Sequence, residues 1–213
     1  MIGHTTAVSG PLSRAEETRQ RFVEAAVALF REHGYSATSM SQVAAAAGSS
    51  RANLYLYFHS KSEIVLEWML TLRPELERIY LQLDQLADHS PDSCRNWLTR
   101  VVALWRAHPA ELDAMEQATS EDSDVHRSRL QMCRRTAAEF PALRRAPDGS
   151  EYASGTLKAR QAHMLCLMLG TERCLSSLVL HEAVPEEEYF LDALASQWSA
   201  LLQPQVETSG SKI

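Results

Sequence analysis

Arg51, Asn53, Tyr55 and Tyr57 lie within seven residues of one another, immediately after Gly48-Ser49-Ser50. Side chains of these types can bind nucleic acid. A guanidinium donates twice to guanine or once to phosphate, a carboxamide pairs with adenine, and a phenol reaches a phosphate oxygen. Ala52 is small enough to approach a base edge closely or to touch a thymine methyl. Ser49 and Ser50 stand at the same end of the segment. Thr38 and Ser39 can offer hydroxyl and amide donors to a backbone phosphate, and Lys61 can meet one as a point charge.

Two short helices must position these groups. Ser39 and Gln42 form the capping-box pattern for the first, an alanine-rich run ending at Ala47 with Gly48 as its C′ residue. Ser50 can cap the second, on which Leu54 and Phe58 lie four apart and face inward. Upstream, Ser13 and Glu16 start a helix whose apolar face carries Phe22, Val23, Ala26, Val27, Leu29 and Phe30. Two short helices joined by a glycine turn, with donors on the outer side of the second, have the layout of a helix-turn-helix.

Charge distribution agrees with this layout. The chain carries a net charge of −6, yet through Lys61 it has six basic residues against four acidic ones. Beyond Lys61 it has 15 against 23, so the two parts carry +2 and −8. The positive part coincides with the reading segment, and phosphate repels the acidic remainder. No HExxH, GxSxG, P-loop or dinucleotide fingerprint occurs, and no two of the eight histidines are spaced as ligands on one helix turn, so neither catalysis nor a metal is indicated. No cofactor is expected. Cys94, Cys133, Cys166 and Cys174 lack CxxC spacing and read as buried thiols in a reducing cytoplasm. Residues 1–12 carry no secretory pattern and read as a disordered arm, and 206–213 as a flexible tail. No membrane span is expected.

The larger remainder also reads as helical. Ser60 caps a long helix that Pro74 should kink or restart. Ser90-Pro91 starts another, burying Trp97, Leu98, Val101, Val102 and Trp105 before His108-Pro109. Two more follow, over about 110–118 and 123–140, then a loop over 141–155. Arg127, Arg129, Arg134 and Arg135 read as a solvated face, with a carboxylate ligand as the alternative. Leu157 to Glu182 is apolar nearly all round, more than one neighbouring layer can cover. Pro185 opens the last helix, which carries the stripe Leu191, Leu194, Trp198 and Leu201. No strand run is visible, so the fold class is all-α: a three-helix head over 13–61 and a larger helical domain over 62–205.

The run G-Y-x-x-T-S-x-x-x-V-A-x-x-A-G-x-S-x-x-x-L-Y-x-Y-F-x-S-K, Gly34 to Lys61, resembles the N-terminal signature of TetR-family transcriptional regulators. Glu63 and Ile64 extend it, and Ala25, Ala26, Leu29 and Phe30 fit the family's first helix. Ala52 replaces a frequent glycine and Ser49 a usual β-branched residue, differences that bear on which operator is read. The resemblance implies a cytoplasmic homodimer that binds a double-stranded DNA operator, most often as a repressor, and responds to a small-molecule effector. It implies a C-terminal domain with a ligand cavity and with pairing through the last two long helices. Trp68, Trp105, Met115, Met132, Met164 and Met168 are candidates for the cavity wall. Met164, Leu167, Gly170, Cys174, Leu178, Leu194, Trp198 and Leu201 are candidates for the dimer interface. Two other readings stay open: a regulator governed by thiol oxidation or a protein partner, and an enzyme with a vestigial DNA-binding segment.

Overall fold

The computed structural model of the chain describes residues 13–146, 148–181 and 186–203. The expected arm over 1–12, the tail over 206–213 and Pro185 lie outside the described residues. Those residues form helices with no strand, apart from one antiparallel bridge between Arg145 and Glu151.

The head is built from α1 (Arg14–His33), α2 (Met40–Ala46), α3 (Arg51–Tyr55) and the start of α4 (Lys61–Asp84). Both expected capping boxes are present, with Glu16 returning to the Ser13 amide and Gln42 to the Ser39 amide. Gly48 adopts φ +63°, the left-handed conformation that glycine reaches without steric cost. This lets the Gly48 and Ser49 amides donate to Ala45 and Ala44 respectively, and so closes α2 with a Schellman turn. Phe22, Phe30, Tyr35, Val43, Leu54, Phe58 and Ile64 fill the space between the four helices.

α4 differs from expectation, since it continues unbroken for 24 residues through Pro74. Proline there removes the amide that would bond to the Leu70 carbonyl. Buried Met69 and Leu72 before it, and Ile79 and Leu83 after it, hold the helix on both sides of the gap. Pro74→Ala restores the bond and is expected to stabilise the chain by about 2 kcal/mol, the full helix-interior penalty less the entropy that proline removes from the unfolded state. A denaturant titration of the two proteins checks this.

The body comprises the rest of α4 with α5 (Pro91–Ala107), α6 (Pro109–Glu121), α7 (Ser123–Glu139), α8 (Ser154–Leu175) and α9 (Glu187–Leu202). A short 3₁₀ turn, Pro141–Leu143, precedes α8, and a π turn, Ser176–Leu180, extends it. α5 packs along α9, and α8 lies between α7 and α9. At their meeting point Trp97 and Trp198 stand edge to face with centroids 5.0 Å apart, and Tyr80 of α4 leans on both. Each indole donates, Trp97 to the Ile79 carbonyl at 2.9 Å and Trp198 to the Thr171 hydroxyl at 3.0 Å. Arg160 is buried beneath the 141–155 loop and donates to the Leu143 and Leu201 carbonyls. It thereby ties that loop to the last turn of α9, whose final carbonyls have no partner within the helix. By length and composition alone, Ser154–Leu180 could cross a membrane, but one side of it is packed into this body.

Candidate nucleic-acid interface

The sequence-derived residues separate into those that face outward and those that build the head. Arg51 and Ala52 are exposed on α3, with Asn53 and Tyr55 half-buried beside them. Ser50 caps α3 by accepting from the Asn53 amide at 3.1 Å. Two paired contacts hold the outer groups in place. Arg51 donates to the Tyr55 hydroxyl at 3.3 Å and lies over its ring, and Asn53 donates to the Ser49 hydroxyl at 2.9 Å. Among the described residues the Arg51 guanidinium and the Asn53 carboxamide each spend one donor, which leaves further donors on both.

Thr38 and Ser39 need correction. Thr38 is buried, its hydroxyl donates to the Gly34 carbonyl at 2.8 Å, and its amide donates to the Tyr35 carbonyl. It fixes the turn between α1 and α2 and has no donor left for phosphate. The Ser39 amide and hydroxyl both donate to Gln42, so Ser39 is committed to its cap. Tyr57 is half-buried, with its ring 5.6 Å from Phe22. Lys61 donates to the Tyr35 carbonyl at 2.6 Å and sits over the Tyr35 ring, and burial lowers its pKa from the ordinary value.

Two contributors were missed in the sequence. Arg19 of α1 donates to the Tyr57 carbonyl and to Glu67 at 2.9 Å while lying 4.4 Å over the Phe58 ring. It clamps the end of α3 between α1 and α4, and nothing in its spacing distinguishes it from a surface arginine. Leu56, directly after α3, is 81% exposed. The sequence alone assigns Leu56 no role.

The head is joined to the body through α6. Arg31 donates to Glu111, which is only 2% exposed, and His108 Nδ1 lies 3.5 Å from the same carboxylate. Ser36 donates to Gln117 at 2.7 Å.

In the body, a cleft of about 600 Å³ opens between α4, α5, α7 and α8. Trp105, Met132 and Met168 of the candidate cavity residues line it, with Leu76, Tyr80, Trp97 and Leu175. Trp68, Met115 and Met164 do not: Trp68 packs on His108, and the other two are buried among the helices. Arg129 is not solvated either. It pairs at 2.7 Å with Glu172, which lines the cleft beside Cys133. Burial holds the Tyr80 hydroxyl well above the ordinary tyrosine range.

The interface candidates need a larger correction. Met164, Leu167, Leu178, Leu194, Trp198 and Leu201 are buried within a single chain and face its own core, and Cys174 is half-buried. Only Gly170 of that set is exposed. The outward face of α8 carries Ala159, Ala162, Cys166 and Gly170 with Lys158, His163, Leu169 and Arg173, and that of α9 carries Ala193, Ser196 and Ala200 with Tyr189, Asp192 and Gln197.

The cysteines differ sharply in environment. Burial pushes the Cys133 thiol up to about 12, with Glu172 adding to the effect, and the Cys94 thiol up to about 11. Cys166 alone is exposed. A neutral-pH thiol reagent is expected to reach Cys94 and Cys133 only on denaturation, which mass spectrometry resolves. Both buried thiols remain protonated where an unfolded thiol, with its ordinary 9.0, ionises. Stability from their burial is therefore complete below that value and declines as pH rises towards the folded-state values.

The fold and the site define a class: a two-domain helical protein with a helix-turn-helix head and a cleft-bearing helical body. Residues 22–68 match the sequence model described as "Bacterial regulatory proteins, tetR family". The HTH-type transcriptional repressor SCO4008 of Streptomyces coelicolor is 31% identical over 111 residues, 50% of this chain and 54% of that protein. The HTH-type transcriptional regulator AcrR of Shigella flexneri is 41% identical over 58 residues, 27% of each chain. The chain thus spans about half the length of the first relative and less of the second. A TetR transcriptional regulator from Rhodococcus sp. RHA1 superposes with a TM-score of 0.61 at 21% identity, over 91% of this chain and 100% of that one. Thermus thermophilus FadR, solved with lauroyl-CoA, gives 0.62 at 18% identity, over 91% and 99%. Over residues 22–68 the chain is thus similar in sequence to the TetR family of bacterial regulators, and its fold is similar to that of solved TetR-family regulators.

Proposed function

We propose that the chain is a cytoplasmic homodimeric repressor that binds a palindromic operator through α3 and leaves it when a small apolar molecule enters the body cleft. The observation that carries DNA binding is the outer face of α3, where Arg51 and Asn53 are held by Tyr55 and Ser49 with donors free. Backbone positioning falls to Tyr55, Tyr57 and Lys61, with Ser49 and Ser50 at the groove end. Pairing through the small outward faces of α8 and α9 buries surfaces that the single chain leaves open. A Cβ at Gly170 meets nothing within 4 Å in the chain, so the glycine is not needed for internal packing and suits close approach by a second copy.

Effector binding rests on the cleft, whose volume lies within the ordinary range for ligand sites, about 300–1,000 Å³. The lauroyl-CoA bound by the Thermus thermophilus relative supports an acyl chain or a molecule of similar apolarity. α4 links the two events, since residues from Leu66 to Asp84 line the cleft and Ser62, Ile64 and Val65 pack in the head. The effector acts only through its difference in affinity between the two head arrangements.

Selection of bound sequences from a random DNA pool by the full-length protein tests this. The expected product is an inverted repeat with half-sites spaced by one helical turn, about 10 base pairs, or a multiple. Failure to enrich any sequence rejects DNA reading. Enrichment of a single unrepeated site rejects the dimer.

A further inference from the structure

Leu56 is the most exposed large hydrophobic side chain among the described residues, and the only large one exposed in the described part of the head. Its backbone, at φ −73° and ψ −20°, continues the α3 helix by one residue. At about 100° per residue, Leu56 and Ala52 each lie about 200° round the helix from core-facing Leu54, on the side away from the body of the head. The Arg51–Tyr55 pair occupies one flank of this stripe and the Asn53–Ser49 pair the other. The outermost strip of the reading face is therefore apolar, bordered on both sides by hydrogen-bonding groups. Among the described residues Leu56 contributes little to packing.

In the major groove only one base edge offers an apolar group, the C5 methyl of thymine. We propose that Leu56 is a specificity-determining residue that packs on a thymine methyl in each half-site, with Ala52 clearing the approach beside it. The inference rests on the DNA-reading function proposed above. Polar contacts from the flanking pairs then fix the neighbouring bases, and Leu56 distinguishes thymine from cytosine by the methyl and not by a hydrogen bond.

The test uses the full-length protein and the operator it selects, with each thymine replaced in turn by uracil, which lacks only the C5 methyl. At one position per half-site, wild-type affinity is expected to fall about three- to ten-fold, the worth of one methyl-sized apolar contact. Leu56→Ala should bind more weakly, lose the sensitivity to uracil at that position, and keep the wild-type thermal midpoint. The proposal is overturned if no thymine-to-uracil change weakens the wild type, or if Leu56→Ala keeps the same sensitivity. If the wild type selects no DNA at all, the failure lies in the DNA-reading function and the proposal falls with it.

Discussion

Trp198→Ala is expected to destabilise the chain by about 3–5 kcal/mol, a large share of the stability typical of such domains. The indole is fully buried among α5, α8 and α9, packs edge to face on Trp97, and donates its only hydrogen to Thr171. Truncation leaves a cavity the size of two rings and strands the Thr171 hydroxyl without its donor. Chemical denaturation monitored by circular dichroism measures the loss. Dilution distinguishes the core assignment from an interface one. A residue that faces the chain's own core costs the same at concentrations where a dimer has dissociated, whereas the deficit of a partner-facing residue disappears there. A deficit that vanishes on dilution would contradict the burial of Trp198 within one chain.

Arg51→Glu is expected to lower operator affinity by at least about 100-fold, with no change in the thermal midpoint. Arg51 is exposed, and its contacts within the chain are limited to Tyr55, so its loss leaves the head intact. The substitution removes a cation that can grip guanine or phosphate and puts a carboxylate against the DNA backbone. In a dimer both half-sites are struck at once. Arg51→Ala should lose less, about 10- to 100-fold, because it removes the contact without adding repulsion. Titrations at several salt concentrations give a second readout, since a lost phosphate contact flattens the salt slope and a lost base contact leaves it nearly unchanged. Binding that survives Arg51→Glu would mean that α3 does not enter the groove.

The sequence was most informative where structure depends on local rules. Ser13, Ser39, Ser50, Ser60 and Ser90 cap the helices they were expected to cap, because a cap is settled by a side chain and the next three amides. Gly48 closes α2 for an equally local reason. Errors arose where the answer depends on which neighbour covers a face. Leu194, Trp198 and Leu201 form a stripe that any partner could bury, and periodicity does not say whether that partner is α5 of the same chain or a second copy. In α8 most large apolar residues went to the core, while the outward face kept Leu169 and the small Ala159, Ala162 and Gly170, which carry little hydrophobic signal. Cavity residues fared similarly. Met132 and Met164 are alike in composition, yet one lines the cleft and the other is enclosed. Thr38 looked like a phosphate donor because its hydroxyl lies near a helix start, and only the fold shows that hydroxyl turned back to Gly34.

Pro74 fails to break α4, and this has a mechanical consequence. Twenty-four unbroken residues make a rod about 36 Å long, anchored in the head at one end and along the cleft at the other. A rotation of about 5° at the cleft end carries the far end through about 3 Å. Two such rods in a dimer can alter the distance between heads by about 6 Å, against a groove repeat of about 34–36 Å. Because the cleft lining runs from Leu66 to Asp84, the rod carries a tilt imposed at the cleft directly to the head, and in the proposed dimer the two shifts together amount to nearly two base-pair steps.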